Sequence, residues 1–152
     1  MNLKPTIRRA TDTDAGGVSR VIVTALRQTN AKDYSPDIIA RVEQNFRPTA
    51  MLQFFKRRQV FVAVVDSRIV GTASLDEAEL RSMFVDPEFQ GRGVGTQLMS
   101  RIEEAALANG VTTLTVPSSV TAESFYARLG FHAVRDSFHG EERTIIMERI
   151  LR

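Results

Sequence analysis

Apolar positions along this chain recur at two spacings, and the points where one gives way to the other mark its elements. Thr6 to Ala10 reads as a short strand. The cluster Thr11-Asp12-Thr13-Asp14 then offers several capping side chains, and Val18, Ile22 and Leu26 follow on one helical face. Ser35-Pro36-Asp37 begins a second helix: a capping serine, a proline in the first turn and an early acid precede Ile38, Ile39, Val42 and Phe46 at helical spacing. After Pro48, a shorter helix is predicted over Thr49 to Arg57. Val60 to Val65 and Ile69 to Leu75 are apolar runs separated by Asp66-Ser67-Arg68, which predicts an antiparallel hairpin.

Glu79 to Val85 is a further strand, closed by the Asp86-Pro87 turn. Beyond it, Val94, Leu98, Ile102, Ala105 and Ala106 predict a long helix that stops at Asn109-Gly110. Thr113 to Val116 is a strand ended by Pro117, and Ala122 to Leu129 is a helix. Phe131 to Ser137 and Arg143 to Ile150 form a closing antiparallel pair around His139-Gly140-Glu141-Glu142. This order predicts an α+β fold, a mixed sheet flanked by helices.

Composition narrows the class. At 152 residues the chain has the usual size of one domain, expected over residues 1–152, and can bury most of the apolar surface it exposes when unfolded. Hydrophobic residues make up 43% and charged residues 25%, an ordinary globular balance. With no cysteine there is neither a disulfide framework nor a Cys-based zinc site, and no metal is expected. The longest apolar run, Val60 to Val65, is far too short to span a bilayer. Met1-Asn2-Leu3-Lys4-Pro5 lacks the apolar segment of a signal peptide, so a cytoplasmic location without a membrane partner is expected. The net charge of +2 is scattered along the chain. Its densest basic cluster, Phe54-Phe55-Lys56-Arg57-Arg58, reads as the solvated last turn of a helix rather than a nucleic-acid surface.

Candidate chemistry concentrates where strand changes to helix, at Gln90-Gly91-Arg92-Gly93-Val94-Gly95. Glycines there permit sharp bends and positive φ, so that backbone N–H groups can converge on an anion at the start of the next helix. A Walker-type loop would need Lys and then Ser or Thr after the last glycine, but Thr96 and Gln97 follow. A dinucleotide fingerprint would need a sixth-position glycine where Thr96 stands. A nucleotide-phosphate binder of another kind, or a plain glycine-rich connection, would share the same loop.

A second block, Ala122-Glu123-Ser124-Phe125-Tyr126-Ala127-Arg128-Leu129-Gly130-Phe131, lies about thirty residues on. With Gln90, Gly93 and Gly95 in the signature positions, and Phe125-Tyr126 followed by Leu129-Gly130-Phe131, residues 60 to 150 resemble the GCN5-related N-acetyltransferase (GNAT) superfamily. The resemblance implies a mostly antiparallel sheet of about six to seven strands with a splayed central pair, flanked by about four to five helices. It also implies transfer of an acetyl group from acetyl-coenzyme A to a primary amine of a small molecule or peptide, by direct attack in a ternary complex. Dimers are common among members, so a homodimer is one expected assembly.

Under that resemblance, main-chain amides of Gln90, Gly91, Arg92, Gly93, Val94, Gly95 and Thr96 hold the pyrophosphate, with side chains contributing little. Main-chain groups around Met83, Phe84 and Val85 hold the pantetheine arm, and the broken alternation Leu80-Arg81-Ser82-Met83-Phe84-Val85 is compatible with a bulge or with a fully buried strand. Tyr126 stands where members place a proton donor to the departing thiolate, although a packing role would also suit a half-buried tyrosine. Glu79 matches a position where members place a general base, with Asp76 and Glu77 as rivals and ordered water as another route. Ser119 stands where members often have a cofactor-binding Asn; it could donate to the cofactor or cap the helix. Acceptor choice is expected from Leu26 to Phe46, with Arg27 and Tyr34 as candidates, together with Phe54 and the last hairpin. His132 reads as structural, and His139 as a weak candidate at the acceptor border. A non-catalytic acyl-coenzyme A binding module would keep the loop and differ at Tyr126 and the base.

Overall fold

The computed structural model describes residues 4–151. Its strands are β1 (Thr6–Arg9), β2 (Gln59–Val65), β3 (Arg68–Asp76), β4 (Glu79–Val85), β5 (Thr113–Ser119), β6 (His132–His139) and β7 (Glu142–Ile150). The helices are α1 (Ala15–Gln28), α2 (Pro36–Glu43), α3 (Pro48–Arg57), α4 (Val94–Ala108) and α5 (Glu123–Arg128). The strands form one sheet in the order β1-β2-β3-β4-β5-β7-β6, with every neighbouring pair antiparallel except β4 and β5.

Period-two alternation divides the sheet into two faces, each covered by helices. On one face Val18, Ile22 and Leu26 of α1, Ile39 of α2 and Met51 of α3 close over Val62 and Ile69. On the other, Leu98, Met99 and Ile102 of α4 and Tyr126 of α5 pack on Phe61, Ala73, Leu80, Leu114 and Met147. Each Val, Leu, Ile, Met or Phe side chain among them stabilises by about 1.5–3 kcal/mol when fully buried. Local signals set the helix starts: Ser35 Oγ accepts from Ile38 N at 3.3 Å ahead of Pro36, and the Asp14 carboxylate accepts from Thr11 N at 2.7 Å.

Beyond shifts of one or two residues at element ends, four differences from the sequence expectation bear on the site. Phe46 leaves α2 for a separate 3-10 turn, Gln44–Phe46, which stops at Arg47 because Pro48 disfavours helical backbone in the residue before it. Arg68 belongs to β3, and the hairpin closes on Asp66 and Ser67 alone, both at positive φ as a tight two-residue turn requires. The basic cluster is not wholly solvated. Arg58 lies past the end of α3 with its side chain only 10% exposed, stacks over Phe54 at 4.0 Å, and pairs with Asp76. Burial, then the neighbouring Arg81 charge, lowers its pKa.

The fourth difference is at Pro117, which does not end β5: it pairs with Ile146 of β7 in the middle of the strand. Thr115 N donates to Ala78 O, on the β4 side. At period two, the N–H that Pro117 lacks would point the same way, into a gap where no acceptor strand follows. The ladder to β7 therefore loses nothing.

Candidate active site

The parallel pairing of β4 with β5 is confined to its first step, Glu79 with Thr115, after which the strands diverge. A cavity of about 790 Å³ runs through the opening, lined by Leu80 to Val85 on one side and Val116 to Ser119 on the other. One end is walled by α1, α2, the 3-10 turn after it and β7, through Leu26, Ile38, Phe46, Glu142 and Thr144; the other by the glycine loop and α5. The volume suits a site that buries most of a drug-sized ligand, for which about 300–1,000 Å³ is usual.

A bulge shapes the β4 wall. Ser74 pairs with Arg81 while Thr72 pairs with Phe84, so β4 carries one extra residue there, and Ser82 takes φ 55°. Arg58, just past α3, donates to Ser82 Oγ at 3.2 Å and fixes the bulge. After it, Asp86 N donates to Val70 O on the β3 side. Alternation then turns the N–H groups of Val85 and Met83 toward the opening, while the Phe84 side chain packs edge-on to Phe46 at 5.9 Å.

The glycine loop delivers donors to the far end of the same cavity. Gly91 and Gly93 adopt φ 75° and 81°, and Gly93 is the N-cap of α4. Gln97 N donates to Gly93 O, which closes the first turn of the helix. The amides of Gly91, Arg92, Gly93, Val94, Gly95 and Thr96 have no internal acceptor among the described residues. The Gln90 side chain instead ties the loop down, donating to Thr29 Oγ1 at 3.3 Å and Val85 O at 3.4 Å. Arg92 turns over the Phe89 ring, 5.4 Å from its centroid. A Cβ on Gly95 would come within 3.0 Å of the Phe125 ring, so this glycine lets α5 approach the first turn of α4. Converging free amides beside a cavity of this size fit the diphosphate of a coenzyme A thioester.

Asp86 anchors that loop and is almost fully buried. Its Oδ1 accepts from Glu88 N at 3.0 Å, and its Oδ2 accepts from Arg68 at 3.0 Å and lies 3.5 Å from Arg20. Asp86→Ala removes a cap and a charge-assisted hydrogen bond at once, so it should cost about 2–3 kcal/mol. A thermal melt should show Tm lower by about 5–10 °C; an unchanged Tm would mean that Asp86 does not hold the turn.

Tyr126 lines the cavity and is only 4% exposed, with its ring against Phe125 at 5.3 Å and Phe131 at 5.6 Å. Its hydroxyl has no hydrogen-bond partner among the described residues, and none of their buried polar side-chain atoms is sealed off without one. The hydroxyl therefore opens on the cavity. Burial pushes its pKa well above the ordinary phenol value. Ser119 lines the cavity while its Oγ accepts from Ala122 N at 3.1 Å, capping the turn into α5.

Of the other residues singled out in the sequence, Tyr34 reaches the cavity and the rest are placed apart. Glu79 lies outside the cavity lining, its carboxylate 3.5 Å from the Arg81 guanidinium. Asp76 pairs with Arg58. Arg27 pairs with Glu43 on the surface, and Phe54 lies under Arg58, away from the cavity. Tyr34 lines the cavity with its hydroxyl fully engaged, donating to Arg143 O at 2.8 Å and accepting from Val120 N at 2.7 Å. Burial, opposed by the Val120 hydrogen bond, raises its pKa. His132 and His139 are exposed on the edge strand β6. Asn30 and Glu142, within the segments expected to choose the acceptor, also line the cavity, as do Arg81 and Arg128, none of them marked individually in the sequence. No local motif marks them, because distant segments bring them together.

Comparison with known proteins agrees with this geometry. The acetyltransferase (GNAT) domain model matches residues 30–147, more than half of the chain. The Escherichia coli (strain K12) protein named uncharacterized N-acetyltransferase YafP is 31% identical over 115 residues, covering 76% of this chain and 73% of that one. The crystal structure of a GCN5-related N-acetyltransferase (Aminotransferase, Class-II) from Rhodopseudomonas palustris superposes with a TM-score of 0.91 at 26% identity, over 99% of both chains. A PaiA N-acetyltransferase from Thermoplasma acidophilum, solved in complex with coenzyme A, shares the fold with a TM-score of 0.85 at 21% identity, again over 99% of both chains. The chain belongs to the GCN5-related N-acetyltransferase superfamily. It is an acyltransferase.

Proposed function

We propose that residues 1–152 form one cytoplasmic domain that transfers an acetyl group from acetyl-coenzyme A to a primary amine of a small molecule or peptide, by direct attack in a ternary complex. The supporting observation is the set of unspent amides from Gly91 to Thr96 at one end of a cavity whose other end lies between α1, α2 and β7. Acetyl-coenzyme A supplies the acyl group as an activated thioester. The loop amides hold the diphosphate, and the Val85 and Met83 amides hold the pantetheine arm along β4. The Ser119 hydroxyl keeps its proton free to donate on the β5 side. The Tyr126 Oη donates its hydrogen bond to the sulfur as negative charge develops there. Since Glu79 pairs with Arg81 outside the cavity, the amine proton leaves through water, and Glu79 acts only through that water.

The test is thiol release from acetyl-coenzyme A with a panel of alkyl, aryl and peptide amines, read beside thermal shift. At a hundredfold excess over Kd, acetyl-coenzyme A should stabilise by about 2.7 kcal/mol, raising Tm by about 5–10 °C. At least one amine should raise thiol release well above background. Background release across the panel with the stabilisation retained would overturn amine acetylation, and ATP or NAD matching the thermal shift of coenzyme A would overturn the cofactor.

A further inference from the structure

Glu142 is the only carboxylate among the described residues that line the cavity, and nothing in the chemistry above uses it. It opens β7 beside the hairpin turn, with its side chain 27% exposed. Its Oε1 accepts from Arg41 of α2 at 2.9 Å, while Oε2 has no donor among the described residues. The surrounding walls at this end are mainly aliphatic and aromatic, from Leu26, Ile38, Val42 and Phe46, with Asn30, Thr144 and Tyr34, whose hydroxyl is already engaged, beside them. Of the two cations that line the cavity, Arg81 on β4 already faces Glu79, and Arg128 belongs to α5, at the opposite end. One negative group with a free oxygen, set among aliphatic and aromatic walls, favours a cation carried on an apolar body over an acceptor that bears its own carboxylate.

We propose that Glu142 is the acceptor anchor: its free oxygen holds the ammonium of an alkyl- or arylalkylamine at the α2–β7 end of the cavity. This rests on the reading that the acceptor enters there. Calorimetry on protein saturated with coenzyme A, with benzylammonium as probe, tests it without turnover. E142Q should weaken benzylammonium about tenfold to a hundredfold, and E142D should restore part of the affinity. The uncharged benzyl alcohol should bind both proteins alike. R41Q breaks the same ion pair but keeps the carboxylate, so it should bind benzylammonium at least as tightly as wild type; a merely structural pair would make the two variants lose affinity together. No binding by wild type, or equal affinity in wild type and E142Q, would overturn the anchor. Binding that depends on Glu142 without any acetylation would leave the anchor standing and overturn amine acetylation instead. Acetylation with kcat/KM unchanged in E142Q would do the reverse.

Discussion

Tyr126→Phe is expected to lower kcat for amine acetylation by about a hundredfold while the rise in Tm with acetyl-coenzyme A stays as in wild type. The substitution removes one atom and keeps the ring, so the contacts with Phe125 and Phe131 survive. The lost hydroxyl has no hydrogen-bond partner among the described residues, so its removal orphans nothing in the fold. Burial raises the phenol pKa, which keeps the proton on Oη at every working pH. Tyr126 should therefore contribute no alkaline limb to the pH profile of kcat, because its ionisation lies beyond the range in which activity is measured. Equal kcat in the two proteins would remove the tyrosine from the chemistry and leave it as packing.

The second large effect is on binding. Gly93→Val should cut the thermal shift with coenzyme A to about half or less, corresponding to at least about a tenfold rise in Kd. Gly93 holds φ 81° at the N-cap of α4, where a β-branched residue is strained by about 1–3 kcal/mol and would relax by turning the following peptides. Those peptides carry the amides of Val94 and Gly95. No heavy atom lies within 4 Å of a Cβ built at Gly93, so the effect comes from backbone conformation, not from a clash. Gly110→Val provides the control, with φ 78° at the far end of the same helix and equal free space. It should lower Tm comparably and leave the coenzyme A response intact. If both variants bound coenzyme A like wild type, the loop conformation would not matter for binding.

What could be read from the sequence was local. The turn from strand to glycine loop to helix is encoded within about twenty residues, whereas the broken alternation between Leu80 and Met83 suits a bulge and a fully buried strand equally, and only the pairing with β3 separates them. Tyr126 was legible through its own short block. Contacts between distant segments were not. Arg41 and Glu142 lie 101 positions apart, and Tyr34 joins Val120 across 86. Nothing local tells a hairpin-turn glutamate that lines a cavity from one that faces water. Pro117 misled for a related reason: proline ends strands when both edges are paired, and only the tertiary splay leaves one edge of β5 free. Glu79 shows the opposite limit, since its place at the start of β4 was legible while the Arg81 contact outside the cavity was not.

Hydrogen–nitrogen correlation spectra recorded during a coenzyme A titration examine the loop amides one by one. The amides of Gly91, Gly93, Val94, Gly95 and Thr96 should show the largest shifts, with Met83 and Val85 following along β4. Saturable coenzyme A binding that leaves the amides from Gly91 to Thr96 unmoved would contradict the account, because the diphosphate would then be held elsewhere.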